Sequence, residues 1–279
     1  MSAGRPQHIS KSNFPTKRDF LQKYNIEEST FKKANITWGD LKVIYEDYLD
    51  HIDDLEQTAS TIVNILLSKE AKDLGVHSVR YRIKNPESLI EKVIRKRAAD
   101  AERKIDKSNY RKEITDLIGV RALHVFKHDW YNIHGFIKSK WNAKEGEDPK
   151  AYHREGDSKE FLDECESMGC RVETHFKGYR SIHYIIESAP TRDVCFAEVQ
   201  VRTIFEEGWS EIDHKLRYIA KSDSLHPLEQ HLSILNRIAG SADEIGSLIK
   251  AREQQLQKES YYKERTDDDG TTHKEEGDA

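Results

Sequence analysis

The stretch Val194-Cys195-Phe196-Ala197-Glu198-Val199-Gln200-Val201-Arg202 alternates in character with a period of two, as in a β-strand whose successive side chains face opposite sides of a sheet. Cys195, Ala197, Val199 and Val201 share one face, and Phe196, Glu198, Gln200 and Arg202 share the other. An acid, an amide and a guanidinium therefore stand in a row, successive members roughly 7 Å apart. Such a row is commonly the wet side of an antiparallel strand. It is also a floor suited to phosphate and metal, because Glu is a hard ligand and Arg a phosphate fork. After Thr203 the spacing predicts a helix from Ile204 to Ala220. Phe205, Trp209, Ile212 and Leu216 lie on one of its faces, flanked by Glu211, His214, Lys215 and Tyr218.

Around this strand, 279 residues leave room for one large domain or two modest ones. Charged residues make up 34% and mean hydropathy is −0.82, which predicts polar tails and long surface helices; apolar residues at 36% still permit a core. No run approaches the ~18 apolar residues of a membrane span, and Met1 to His8 lacks an apolar signal segment. The three cysteines, Cys165, Cys170 and Cys195, are odd in number and unevenly spaced. They argue against a disulfide framework or zinc site and for a reduced, cytoplasmic protein. The formal net charge is −5, unevenly spread: Arg80 to Lys112 carries 12 Lys/Arg against 5 Asp/Glu, and Glu253 to Ala279 carries 9 Asp/Glu against 4 Lys/Arg. A basic segment of this density suits polyphosphate ligands, or is a solvated helix face.

Upstream, apolar residues from Leu41 to Leu66 recur at three and four, so Trp38 to Leu67 reads as one long helix or a broken pair. Val79 to Ile83 reads as a strand. Asn85-Pro86 then starts a helix, with Asn85 as N-cap and Pro86 at the first position. Ser88, Lys92 and Arg95 line one edge of that helix, while Arg82 and Lys84 alternate on the incoming strand, so five phosphate-capable groups converge at one junction. Tyr110 to Ile118, carrying Asp116, reads as helix or turn and is broken at Gly119; Val120 to Phe126 reads as a strand and Trp130 to Lys140 as a helix. Trp141 to Met168 is polar and acidic and reads as a mobile insertion with a short helix near Phe161. Arg171 to Phe176 and Ser181 to Glu187 read as strands around the turn Lys177-Gly178-Tyr179-Arg180, whose tyrosine is either a packed turn residue or a platform for a base. Leu225 to Leu256 reads as a helix with a leucine-rich seam, able to pack on the body or to join subunits.

Five motifs occur in order: Arg82-x-Lys84-x-x-x-Ser88-x-x-x-Lys92; Asp116-Leu117-Ile118-Gly119-Val120-Arg121; Gly178-Tyr179-Arg180-Ser181-Ile182-His183; Glu198-Val199-Gln200-Val201-Arg202-Thr203; and His214-Lys215-Leu216-Arg217-Tyr218. Together they resemble the synthetase domain of the RelA/SpoT alarmone synthetases, over roughly Trp38 to Tyr218. The resemblance implies an α+β fold, a mixed β-sheet flanked by helices and similar to nucleotidyltransferases, with extra N- and C-terminal helices. It implies transfer of the β,γ-pyrophosphate of ATP to the ribose 3′-OH of GDP or GTP, with release of AMP and with Mg²⁺ as cofactor. By resemblance, Arg82 and Arg121 sandwich the adenine, and Lys84, Ser88, Lys92 and Arg95 hold the phosphates. Asp116 and Glu198 bind the metal and are the catalytic carboxylates, Glu198 also helping to activate the acceptor hydroxyl. His183, Gln200 and Arg202 lie around the transferring group. Tyr179 stacks on the guanine beside Lys177, and His214 and Lys215 support the acceptor side.

Two departures bear on the acceptor: many members carry Asn where this chain has Lys177, and the insertion 141–168 is long and polar. Other relatives pyrophosphorylate tRNA 3′ ends or adenine nucleotides, and a catalytically dead nucleotide- or RNA-binding module is a third reading, disfavoured by the intact carboxylates. Fewer than 80 residues precede the first motif and no metal-hydrolase motif fits them, so a small, synthetase-only member is expected. The expected organisation is a flexible N-terminus (1–15), a helical segment (16–78), the synthetase core (79–221), a C-terminal helix (222–257) open to homo-oligomer formation, and a disordered acidic tail (258–279).

Overall fold

The computed structural model describes residues 11–100, 102–190, 194–219 and 226–269. It divides into two units, Met1–His124 with Asp129–Arg202 and Val125–His128 with Thr203–Ala279. The first unit opens with five helices: α1 (Lys17–Lys23), α2 (Glu28–Lys33), α3 (Trp38–Asp50), α4 (Ile52–Leu66) and α5 (Lys69–Asp73). A Thr37–Asp40 capping box starts α3, each side chain taking up a backbone amide the helix leaves unpaired. The expected long helix is a broken pair. At His51 the backbone N–H bonds to the Tyr48 carbonyl, and the ring Nδ1 donates to the Asp47 carbonyl at 2.7 Å in its place. Helices α2 and α5 each bury a single side chain, too little apolar pattern to announce them.

The sheet comprises β1 (Val76–Ile83), β2 (Ile118–His124), β3 (Lys150–His153), β4 (Arg171–Thr174), β5 (Ser181–Ser188) and β6 (Cys195–Thr203). Their order is β1-β2-β6-β5-β3-β4, with β3 parallel to β4 and antiparallel to β5. It is the mixed sheet flanked by helices that the motifs implied. Around it lie α6 (Pro86–Ala99), α7 (Tyr110–Glu113), α8 (Trp130–Lys140) and α9 (Lys159–Ser167). One sheet face is apolar and closed: Ile118, Val120, Ala122, Ile182, Ile186, Ala197, Val199 and Val201 are buried. Each Val or Ile so buried contributes about 1.5–3 kcal/mol. The other face carries the charged and polar partners of the same alternation.

Residues 141–168, expected as a mobile insertion, instead supply β3 and α9. Strand β3 enters the sheet between β5 and β4, and Ala151 pairs with Ile182 on the closed face. Four residues with one small buried side chain give no readable alternation, so the strand is specified by its neighbours. Helix α9 does cover Phe161, whose ring meets Trp130 edge-on at 5.8 Å.

In the second unit, α10 (Ile204–Ile219) starts with Thr203 Oγ1 accepting from the Glu206 amide, and Trp209 Nε1 donates to the Leu232 carbonyl of α11 (His226–Asp269). The expected end of that helix near 257 is a correction: it continues to Asp269. Glu, Lys and Gln are good helix formers despite their polarity, and Gln255–Glu259 and Glu253–Gln257 pair one turn apart. Most of the expected flexible N-terminus and the final residues of the acidic tail lie outside the described residues.

Beneath the sheet, Tyr184 Oη accepts from Trp130 Nε1 at 2.7 Å and lies 3.0 Å from His134 Nδ1, all three side chains buried. Tyr184→Phe leaves the indole N–H without its acceptor and is expected to lower stability by about 1–3 kcal/mol in urea unfolding. A variant as stable as the wild type would show that this triad is dispensable to the core.

A candidate polyphosphate and metal site

Strand β1 hands over to α6 through Lys84 and Asn85. The Lys84 amide bonds to the Leu117 carbonyl, and its own carbonyl accepts from Tyr48 Oη at 2.7 Å, so both flanks fix the junction. Asn85 caps α6 by accepting from the Glu87 and Ser88 amides, with Pro86 in the first turn. Two of the first amides of α6 are therefore already taken, and side-chain cations line the junction. Arg82, Lys84, Ser88, Lys92 and Arg95 line one cleft of about 440 Å³ together with Asn85 and Glu91. Their convergence agrees with the spacing argument. Arg95 differs from the others in that its guanidinium is engaged by Glu91 at 2.7 Å and by the Tyr24 carbonyl at 3.2 Å.

On the open face of the sheet Arg82 pairs with Gly119, and Arg80 with Arg121. Directly paired residues point to the same side, so Arg80, Arg82 and Arg121 share that face. Gly119 is needed here for approach rather than for a turn: a Cβ at 119 would sit 3.3 Å from Arg82 Nε. Arg80, which carries no motif of its own, belongs to the same arginine group.

Asp116, just ahead of β2, receives Lys84 Nζ and Lys92 Nζ, each 2.8 Å from Oδ2. Burial pushes its pKa up, but the two ammonium groups outweigh burial and hold it below the usual Asp value, so it stays ionised. Its other oxygen, Oδ1, is buried with no hydrogen-bond partner among the described residues. A buried carboxylate oxygen left in this state fits a missing cation.

Glu198 stands on β6 and forms the centre of a polar chain. Its Oε1 accepts from His183 Nδ1 at 3.1 Å and its Oε2 from Gln200 Nε2 at 2.8 Å; Arg202 Nη2 donates onward to Gln200 Oε1. Ser181 Oγ lies 2.8 Å from His183 Nε2, which fixes the ring from its far side. Burial raises the Glu198 pKa and the Asp116 charge raises it further, but the His183 and Gln200 contacts prevail and keep it ionised, below the ordinary Glu value. Asp116 and Glu198 thus feel one another's charge across the open face. Among the described residues no group of three or more His, Cys, Asp or Glu is arranged for a metal. A cation here would complete its shell with phosphate oxygens and water, as Mg²⁺ does.

On the β5–β3 side, Tyr152 is directly opposite Ser181, and its ring meets His183 at 4.8 Å and His175 at 5.4 Å. Tyr179 meets His175 edge-on at 4.9 Å, and Lys177 Nζ lies over the exposed ring of Phe176. Tyr152 and His175 were missed because one sat in the presumed insertion and the other at a strand end without a motif. His214 and Lys215 are exposed on α10 in the second unit.

A mixed sheet with a cationic cleft at a strand–helix junction and two ionised carboxylates on the same side has the chemistry to accommodate a polyphosphate and a cation. The family model described as "Region found in RelA / SpoT proteins" matches residues 81–223, more than half of the chain. The GTP pyrophosphokinase YwaC of Bacillus subtilis (strain 168) is 26% identical over 211 residues, covering 74% of this chain and 87% of that protein. Among solved structures, a GTP pyrophosphokinase family protein from Streptococcus pneumoniae superposes with a TM-score of 0.52 at 22% identity, covering 80% of this chain and 98% of that one. Small alarmone synthetase 1 from Bacillus subtilis gives 0.51 at 18% identity, over 75% and 95%. The chain belongs to the RelA/SpoT family.

Gly119→Ala is expected to keep the fold, since the flexible Arg82 side chain gives way, while turning that guanidinium off the sheet. The KM for ATP should rise on the order of threefold to tenfold, read by steady-state kinetics. An unchanged KM would show that Arg82 does not hold the nucleotide from this position.

Proposed function

We propose that this chain is a Mg²⁺-dependent GTP pyrophosphokinase that moves the β,γ-pyrophosphate of ATP to the ribose 3′-OH of GDP or GTP and releases AMP. The observation that carries the reading is the pair Asp116–Glu198 beside Lys84 and Lys92, with Asp116 Oδ1 buried and lacking a hydrogen-bond partner among the described residues. The similarity to the GTP pyrophosphokinase YwaC of Bacillus subtilis supports it.

Phosphoryl-type transfer demands positioning and charge neutralisation more than covalent help. Arg82 and Arg121 hold the adenine on the open face. Lys84 and Lys92, with Ser88, take the phosphates, exchanging their contact with Asp116 for phosphate oxygens. Asp116 and Glu198 would hold Mg²⁺, which supplies neutralisation of phosphate charge. The acceptor 3′-oxygen attacks the β-phosphorus of ATP. Its proton passes to Glu198, and the bond from the β-phosphorus to the α,β-bridging oxygen breaks as AMP departs. His183 and Gln200 hold Glu198 in line for that proton, and Arg202 steadies Gln200. Tyr179, with Lys177 beside it, is the platform for the acceptor base. Arg95, if it contacts phosphate, must first leave Glu91.

The basic segment that could have served a tRNA acceptor is largely engaged within the fold. Arg97 donates to the carbonyls of Ala34 and Ile105, and Lys96 to that of Glu113. Arg103 pairs with Glu113 and Lys107 with Asp47. A free nucleotide acceptor suits the site better than a large RNA.

With ATP labelled at the γ-phosphate, label is expected on GDP or GTP and not on deacylated tRNA. Glu198→Gln should bind ATP but lose AMP release by a factor on the order of 10³ or more. Transfer to tRNA alone would replace this reading with a tRNA-modifying one, and unchanged turnover in the variant would remove Glu198 from the chemistry.

The same reading includes self-association through α11. Ile234, Ile238, Ile245, Leu248, Ile249 and Leu256 are exposed along this helix, and a second copy presents the matching stripe. Wild-type protein should run as an oligomer in light scattering, and Ile238→Asp with Ile245→Asp as a monomer. A monomeric wild type would exclude the contact.

A further inference from the structure

The chain from β4 to β5 passes over an obstacle. Strand β4 lies at the sheet edge, β3 lies between it and β5, and β3 and β4 run parallel. The loop 175–180 that joins β4 to β5, and that carries Tyr179, must therefore arch across the C-terminal end of β3. Fixing such an arch in one conformation requires contacts with the chain just beyond that end.

Strand β3 runs directly into a tight turn, Arg154 to Asp157. The Asp157 amide bonds to the Arg154 carbonyl, and the Arg154 amide bonds back to Asp157 Oδ2 at 2.8 Å, with Gly156 at φ +92°. This reciprocal lock aims the Asp157 carboxylate at the arch. Arg180 Nε lies 2.9 Å from both Oδ1 and Oδ2, and both side chains are four-fifths covered. The other end of the arch is tied to β3 too. The His175 amide bonds to the His153 carbonyl, and Thr174 Oγ1 lies 3.0 Å from His153 Nε2. Between the ties, His175 supports the ring of Tyr179.

We propose that Asp157 is a positioning residue for the acceptor: through Arg180 it holds the arch so that Tyr179 presents its ring to the acceptor base. The segment 141–168 thereby serves acceptor binding, although none of its charged residues need touch substrate. This rests on the reading of Tyr179 as the acceptor platform. The pair is a charge-assisted hydrogen bond away from bulk water, where geometry is held more firmly than by an exposed ion pair. The ATP cleft draws its cations from β1 and α6, so loss of the clamp should leave ATP binding intact.

The test combines kinetics with hydrogen exchange on the full chain. Asp157→Ala is expected to raise the KM for GDP and GTP about tenfold, to leave the KM for ATP within about twofold, and to speed amide exchange in 175–180 without changing it in β5. Arg180→Ala, which leaves the 154–157 turn intact, should reproduce both effects, and the double variant Asp157→Ala with Arg180→Ala should be no worse than either single one, which independent structural roles would not produce. Unchanged acceptor KM and unchanged loop exchange overturn the proposal. Equal loss of both substrates with a lowered melting temperature overturns it as well. The exchange readout needs no turnover, so failure of the wild type to label any guanine nucleotide would sink the function proposed above and leave the clamp to be judged by the loop alone.

Discussion

Asp116 between Lys84 and Lys92 is the interaction on which the site depends. Taking three charges partly out of water is unfavourable unless each is paired and well placed, and the surrounding structure is arranged to meet that demand. Lys84 is fixed by its backbone, held by Leu117 on one side and Tyr48 on the other. Lys92 is fixed by α6, whose first turn is set by Asn85 and Pro86. Asp116 is fixed by the turn into β2, whose Ile118, Val120 and Ala122 are anchored in the closed face of the sheet. The cluster is satisfied on one carboxylate oxygen and not the other, an arrangement suited to exchanging lysine contacts for a cation and phosphates.

The two sheet faces explain why β6 and the strand–helix junction could be read from the sequence. Period-two alternation in β6 separates Ala197, Val199 and Val201 from Glu198, Gln200 and Arg202, and the structure keeps that division. The strand–helix junction was legible because a cap, a proline and cations at i, i+4 and i+7 are local features. Local features also mark α8, whose limits match the sequence pattern. Arg95 shows the limit of spacing: its position was right for the cleft, but Glu91, one turn back, holds its guanidinium. No count of positions distinguishes a side chain that faces phosphate from one that faces its own helix.

Strand β3 and the chain beside it were less legible because topology rather than local pattern places them. Strand β3 has four residues, and its place between β5 and β4 comes from partners as far along the chain as Arg171 and His183. Tyr152 joins the site only because that register sets it opposite Ser181 and against His183. The polar composition of 141–168 read as solvated chain, yet polarity there reflects a thin layer at a sheet edge that buries Ala151, Cys165 and little else. The same error of composition appears in α11, where charge suggested disorder and helix propensity prevailed.

This contrast has a mechanistic consequence. In the function proposed above, the ATP side shares its lysines with the Lys84–Asp116–Lys92 cluster, whose backbones are fixed by Leu117, by Tyr48 and by the cap of α6. Acceptor recognition hangs on an arch tied to a short edge strand and one turn, which can change length or charge while the closed face of the sheet stays as it is. The proposed donor side thus shares an ion cluster with the fold, while the arch of the proposed acceptor side is tied by the Asp157–Arg180 pair. A family that keeps one donor and varies its acceptor would vary where this chain is least constrained by its core, in the segment between Trp141 and Arg180.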